Sequence, residues 1–318
     1  MQKVYGGTIY TYNWGYHVVH KKDKKTYRKG FSFSDSDDAY TDAVIYKKEM
    51  SDKLGLTIGQ KWIPDSVKTY VAGFFDGDGC VTYYNKKYKD STYIGPVINF
   101  TQAQQNGIPQ VLLFIQSYYG GKLNNAYQPK KPTERKSYKL TLYNAECIWM
   151  LKDLSSRCVV KSKQVDLALQ LGEEADVAIK TTICRQMSEE KQLSSLNAST
   201  VDSSDERLCM EYIAGLLDAE GCVISKNRCP VISIAQLSNI SLLCALRERL
   251  GITAPKAVSI KEGKLTFSGP SAIRFIHAIH EMCIVKREQL QLALRNTEIS
   301  NDDEIKTNHQ KICALKRI

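Results

Sequence analysis

The spacing of apolar side chains divides the chain into short runs of strand type and longer runs of helical type. Over residues 1–60, "GTIYTYN", "WGYHVVH" and "TYRKGFSF" alternate as strands do, with turn chemistry between them. "SDSDD" then supplies an N-cap and acidic first-turn residues, and Ala39, Ala43, Tyr46, Met50 and Leu54 follow helical spacing up to a natural stop at Gly55. The pattern predicts a small three-stranded sheet with one helix. From Pro64 the order is helix, strand, strand, helix, strand, strand, helix, helix, and from about residue 207 the same order returns. Between the two copies, "LSSLNASTVDSSDE" is rich in Ser and poor in apolar residues, the composition of a linker. The expected domains are therefore 1–60, a first half over 61–175, a linker over 176–206 and a second half over 207–318.

Composition narrows the class. The 318 residues carry 44 Lys and Arg against 34 Asp and Glu, a formal charge of +10, which favours a polyanionic partner such as nucleic acid. No run of eighteen apolar residues is present, and the opening "MQKVYGGTIYTYNWGY" has neither a secretory core nor a transit composition, so the expectation is a soluble intracellular protein with no membrane partner. Ten cysteines scattered without a CxxC fit reduced thiols in a reducing compartment. His277, His280 and Cys283 share a predicted helix, but no fourth ligand stands near and tetrahedral zinc needs four.

The strongest signal is a repeat within the repeat. "TYVAGFFDGDGCV" at 69–81 and "EYIAGLLDAEGCV" at 211–223 each end a helical pattern in acidic, small, acidic, Gly, Cys. Ala72, Gly73 and Gly77 in one copy and Ala214, Gly215 and Ala219 in the other give each helix a small-residue face, which lets two backbones approach closely. Asp78 and Glu220 fall in the last turn, where the helix dipole disfavours a carboxylate. If the helices pair in parallel, two carboxylates converge and call for a cation such as Mg²⁺, the setting in which metals drive phosphodiester hydrolysis. Gly79 and Gly221 are expected as left-handed helix stops.

These stretches, with the duplicated αββαββα order, resemble the two signature motifs of a monomeric LAGLIDADG homing endonuclease over roughly residues 64–300. The resemblance implies an α+β fold of two pseudo-twofold-related halves forming a β-saddle. It also implies a monomer that cuts both strands of a long, asymmetric double-stranded DNA target with a divalent metal. Carried over by position, Asp78 and Glu220 bind metal beside the carbonyls of Gly77 and Ala219. Gln104 and Gln236 close the second strand of each half, and Lys161 and Lys286 open the last helix of each half to order solvent or stabilise charge. Members of the family that act as RNA maturases, with intron RNA as partner, supply the alternative activity, and a non-cleaving DNA-binding regulator is a third.

Strand alternation proposes the DNA face: Thr82, Tyr84 and Lys86, then Asn99 and Thr101, with Lys226, Arg228 and Ser233 in the second half, while Ile98 and Phe100 face the core. The first hairpin is longer than the second and has the basic, aromatic tip "YYNKKYKDSTY". The region over 1–60 more loosely resembles the plant ethylene-response-factor type of DNA-binding domain. That resemblance makes Trp14, Lys21, Lys22, Lys24, Lys25 and Arg28 its candidate DNA contacts.

Overall fold

The computed structural model describes residues 5–12, 15–22, 25–32, 63–88, 91–104, 107–127, 136–174, 176–193, 200–226, 228–237, 239–254 and 256–315. The chain divides into two compact units, Met1–Pro64 and Asp65–Ile318.

In the first unit the strands β1 (Tyr5–Tyr12), β2 (Gly15–Lys22) and β3 (Lys25–Ser32) form an antiparallel sheet in that order. Tyr12 pairs with Gly15 and Lys22 with Lys25, so each connection is a two-residue hairpin. In the backbone register of β2 and β3, Arg28 is opposite Val19, and Lys21 is opposite Thr26. Trp14, Lys24 and the helix expected near residues 36–54 lie outside the described residues.

The second unit carries the αββαββα order twice. Its first half runs α1 (Asp65–Asp78), β4 (Gly79–Tyr88), β5 (Ser91–Gln104), α2 (Gln110–Tyr119), β6 (Lys122–Tyr127), β7 (Lys136–Tyr143), α3 (Asn144–Ser155) and α4 (Ser162–Glu173). After α5 (Val177–Leu193) the second half runs α6 (Met210–Glu220), β8 (Gly221–Lys226), β9 (Cys229–Ala235), α7 (Ile240–Arg249), β10 (Val258–Ser259), β11 (Lys264–Ser268), α8 (Pro270–Ile279) and α9 (Arg287–Arg295), with α10 (Asp302–Leu315) last. The two antiparallel sheets have the orders β4-β5-β7-β6 and β8-β9-β11-β10, the same topology with α1 and α6 leading directly into edge strands. Apolar positions on one sheet face, among them Val81, Ile98, Phe100 and Leu140 in the first half and Val223, Ile232 and Ile234 in the second, are buried against the helices.

The segment over 176–206, expected as linker, holds a 17-residue helix in its first part. Its sequence is polar because only a narrow stripe, Ile183, Cys184 and Met187, is buried. Asp176 caps it, accepting from the amides of Ala178 at 2.7 Å and Ile179 at 3.0 Å.

Helices α1 and α6 hold the halves together. A Cβ on Gly73 would sit 1.9 Å from the carbonyl oxygen of Tyr212, and one on Gly215 would sit 2.0 Å from that of Tyr70. The contacts are reciprocal, as a pseudo-twofold relation requires, and only glycine permits the approach. On this interface Tyr70 donates its hydroxyl to Asp218 at 2.7 Å, and Tyr212 donates to Asp76 at 2.7 Å. Both hydroxyls are held protonated, since burial and the adjacent carboxylate push them well above the usual tyrosine range. Tyr212→Phe removes a charge-assisted hydrogen bond from a buried acid, so we expect a loss of about 2 kcal/mol in urea unfolding.

Candidate active site at the ends of the paired helices

Asp76 and Asp218, which the sequence reading passed over, organise the site. Each lies two residues before the end of its helix and is buried. Asp76 accepts from the main-chain amides of Val159, Val160 and Lys161 at 2.6, 2.9 and 2.9 Å. Asp218 accepts in the same way from Ile284, Val285 and Lys286 at 2.6, 3.0 and 2.9 Å. These amides lead into α4 and α9, so each aspartate satisfies donors at a helix start that have no partner within the helix. The signal was present in both copies: an acidic residue inside an otherwise apolar helix, two positions before the terminal acid.

This capping delivers Lys161 and Lys286 to the ends of α1 and α6. Lys161 Nζ donates to the carbonyls of Phe75, Gly77 and Gly79 at 2.8, 2.9 and 2.7 Å. Its three N–H groups thereby meet carbonyls at the helix terminus, and the Gly77 oxygen, expected beside a metal, accepts from it. Lys286 Nζ donates to the carbonyl of Asp218 at 2.5 Å. Burial lowers both ammonium pKa values below the usual lysine range, and nearby carboxylates, first Asp76 and Asp218 respectively, act against that shift. The two lysines thus place positive charge where the helix dipoles concentrate negative charge.

Asp78 and Glu220 end the two helices. A Cβ on Gly77 would lie 2.4 Å from the Ala219 Cβ and 3.0 Å from the Glu220 Cγ, so the terminal turns are in close contact. Asp78 has its pKa raised to about 6, first by burial and then by the Glu220 carboxylate, against the lowering effects of Gln102, Lys286 and Lys161. Burial raises Glu220 as well, opposed by Lys161 and Lys286. Among the described residues no group of three or more His, Cys, Asp or Glu side chains is gathered to hold a metal ion. A ligand set here would be two carboxylates completed by other oxygens.

Gln102 donates through its amide to Asp78 Oδ2. Sequence had singled out Gln104, and register explains the offset. Gly79 pairs with Phe100 and Gly221 with Ile234, so the counterpart of Gln236, two positions further on, is Gln102. Gln104 is at the strand's end opposite Lys136, and its side chain lies outside the described residues. Because the Gln102 contact lowers the Asp78 pKa, Gln102→Leu should raise it; we expect the acid limb of any Asp78-dependent activity to move to higher pH in a pH–rate profile.

The left-handed stops expected at Gly79 and Gly221 are not there. Gly221 is extended, at φ −83 and ψ 158, and neither residue is among the glycines with positive φ. Space is the reason for glycine: a Cβ would lie 2.1 Å from the Phe75 ring at Gly79 and 2.3 Å from the Leu217 carbonyl at Gly221.

On the sheets, register puts Thr82, Tyr84, Lys86, Asn99 and Thr101 on one face, opposite Ile98 and Phe100. Lys139 on β7 and Lys122 on β6 join that face, although sequence had not marked them. Lys86 and Thr101 are exposed, whereas Asn99 is buried and accepts from the Thr141 hydroxyl at 3.0 Å. Tyr84 donates to Asn144 at 3.2 Å. In the second half Lys226 is exposed and Ser233 is buried between β8 and β11. Mid-sheet polar residues are thus closed off by neighbouring strands, and the exposed ones lie toward strand ends. Arg228 turns its guanidinium to the Ser300 carbonyl at 3.0 Å and to Asp302 at 2.7 Å.

Solved structures with this arrangement decide the fold. I-GzeII, described as a LAGLIDADG homing endonuclease in complex with its DNA target, matches with a TM-score of 0.51 at 14% identity, covering 78% of this chain and 96% of its own. A mutant of I-SmaMI matches with a TM-score of 0.55 at 14% identity, over 78% of this chain and 96% of its own. The LAGLIDADG meganuclease I-CpaMI, bound to uncleaved DNA, matches with a TM-score of 0.51 at 15% identity, over 78% of this chain and 97% of its own. The fold is that of the LAGLIDADG homing endonucleases. No family model and no curated protein matches the sequence. Helices α1 and α6 carry the two stretches in which the sequence resembles the family's motifs, and they end at Asp78 and Glu220.

Proposed function

We propose that the chain is a site-specific DNA endonuclease of the homing type, hydrolysing both strands of a long duplex target with a divalent cation such as Mg²⁺. The observation that carries this reading is the meeting of Asp78 and Glu220 at the ends of two interlocked helices, where Asp78 is held near pKa 6 by burial and by its partner's charge. Such a pair is electrostatically unfavourable by itself. Hard carboxylate oxygens with space for water and phosphate suit Mg²⁺. When bound, the cation would lower the pKa of its water and neutralise charge developing on phosphate. Asp78 and Glu220 would hold it. Gln102 fixes the Asp78 carboxylate, and Lys161 and Lys286, set by the Asp76 and Asp218 caps, contribute positive charge close to both acids. The basic sheet faces, with Lys86, Lys122 and Lys139 in one half and Lys226 in the other, would lie along the duplex and contact phosphates or base edges.

Incubating the protein with a randomised duplex library and Mg²⁺, then sequencing the ends, tests the assignment. We expect metal-dependent breaks at a single long asymmetric site. Tight binding of structured intron RNA without any DNA break would replace this reading with that of a splicing maturase.

A further inference from the structure

Helix α10 lies along β8, the free edge of the second sheet, and its rotation about its axis is fixed by buried polar contacts. Asn296 donates to the Ser225 hydroxyl at 3.0 Å and accepts from the Asn308 amide at 2.9 Å, and all three residues are buried. At the corresponding place in the first half, ten positions after Lys161 as Asn296 is after Lys286, stands the buried apolar Leu171. Apolar packing would suffice to cover the strand, whereas a hydrogen-bonded chain through Asn296 allows one helix setting. Arg228, left-handed at φ 65 in the β8–β9 turn, holds the start of α10 through Ser300 and Asp302.

With Asn308 and Ile312 turned inward, α10 presents Lys306, His309 and Gln310 to an open cleft of about 730 Å³, whose other wall includes Ile224, Lys226 and Arg228. Along β8, Val223 and Ser225 are buried toward the helical layer, and Ile224 and Lys226 alternate with them. The cleft thus runs along the β8 edge, lined by Ile224 and Lys226 from the sheet face that the endonuclease reading assigns to DNA and by Ser225 from the other. Asp302 offsets the charge of Arg228, which leaves Lys226 and Lys306 as its cations, with His309 and Gln310 as further hydrogen-bonding groups. Lys306 reaches Asp303 at 3.3 Å, but both side chains are exposed, and an exposed pair of this kind is weak enough to exchange for phosphate.

We propose that the α10–β8 cleft is a clamp for the phosphate backbone of duplex DNA at the second-half end of the target, so that the C-terminal helix is part of the binding surface. This rests on the endonuclease reading, but it concerns affinity for backbone and needs neither the target sequence nor cleavage to be tested. Binding of a labelled duplex of about 40 base pairs and arbitrary sequence is measured by anisotropy over a range of salt, without divalent metal. Lys226→Ala and Lys306→Ala should each reduce the slope of log K against log salt by about one, and the double variant by about two. Lys152→Ala, which removes a lysine paired with Glu173 on the helical layer, should leave the slope unchanged. Wild-type slopes in both cleft variants would overturn the clamp while leaving the endonuclease reading in place. Slope changes seen with an RNA hairpin and not with the duplex would overturn it in favour of RNA. If the wild-type protein does not bind duplex at all, the endonuclease reading itself fails, and the clamp with it.

Discussion

Replacing Asp78 by Asn is expected to abolish DNA cleavage and, in the same protein, to raise stability. The two effects have one cause. The Asp78 pKa of about 6 lies above its ordinary value of 3.8, so the folded state binds a proton more tightly than the unfolded chain does. Its contribution to stability is therefore present below about pH 4 and is lost as pH rises to about 6. By neutral pH the ionised carboxylate costs about 2 to 3 kcal/mol, at 1.36 kcal/mol per pKa unit. Asn keeps an oxygen that can accept from Gln102 and carries no charge. The variant should melt several degrees higher than the wild type at pH 7.5, and the two should converge near pH 4. Mg²⁺ should raise the melting temperature of the wild type and have little effect on the variant. On cleavage the sign reverses: losing several kcal/mol of metal-derived stabilisation corresponds to about 10³-fold in rate. A variant that is both less stable and less active would contradict this account of the site.

The second large effect concerns the helix pair. Gly73→Ala and Gly215→Ala each place a methyl group about 2 Å from a main-chain oxygen of the opposing helix. Neither contact can be relieved by rotating a side chain, so the helices must separate. That would disturb both tyrosine–aspartate bonds and the fit of Gly77 against Ala219. Overpacking commonly costs 1 to 3 kcal/mol, and this collision with fixed backbone should reach about 4 kcal/mol. Urea unfolding of each single variant measures it, and the double variant is expected not to fold. Gly107 offers a contrast, since nothing lies within 4 Å of the position its Cβ would take, though its positive φ still favours glycine.

Much of the second unit was legible because its signals are doubled. Two motifs in register, each followed by the same order of strands and helices, identified the helix interface and placed Asp78 and Glu220 on it. What sequence missed depends on register and burial. The choice of Gln104 over Gln102 came from counting to the strand's end, whereas pairing from Gly79 to Phe100 sets the true equivalence with Gln236. Lys161 and Lys286 were visible as basic residues at helix starts. Their bonds to helix-end carbonyls were not, because those depend on Asp76 and Asp218 drawing distant amides onto α1 and α6. Helix α5 was hidden in a polar segment because three buried residues are too few to mark a period.

The crossed tyrosine–aspartate bonds bear on how such a chain assembles. Asp76 caps the last helix of its own half, but its fourth hydrogen bond comes from Tyr212 of the other half; Asp218 and Tyr70 are related in the same way. Each half therefore carries both the tyrosine that the opposite cap needs and the cap that needs a tyrosine. A surface that contains both members of a reciprocal contact is complementary to itself. Either half could in principle be matched by a second copy of itself. The choice between self-pairing and the observed pairing then falls to what differs between the helices, including Phe74 and Phe75 against Leu216 and Leu217, Gly77 against Ala219, and Asp78 against Glu220.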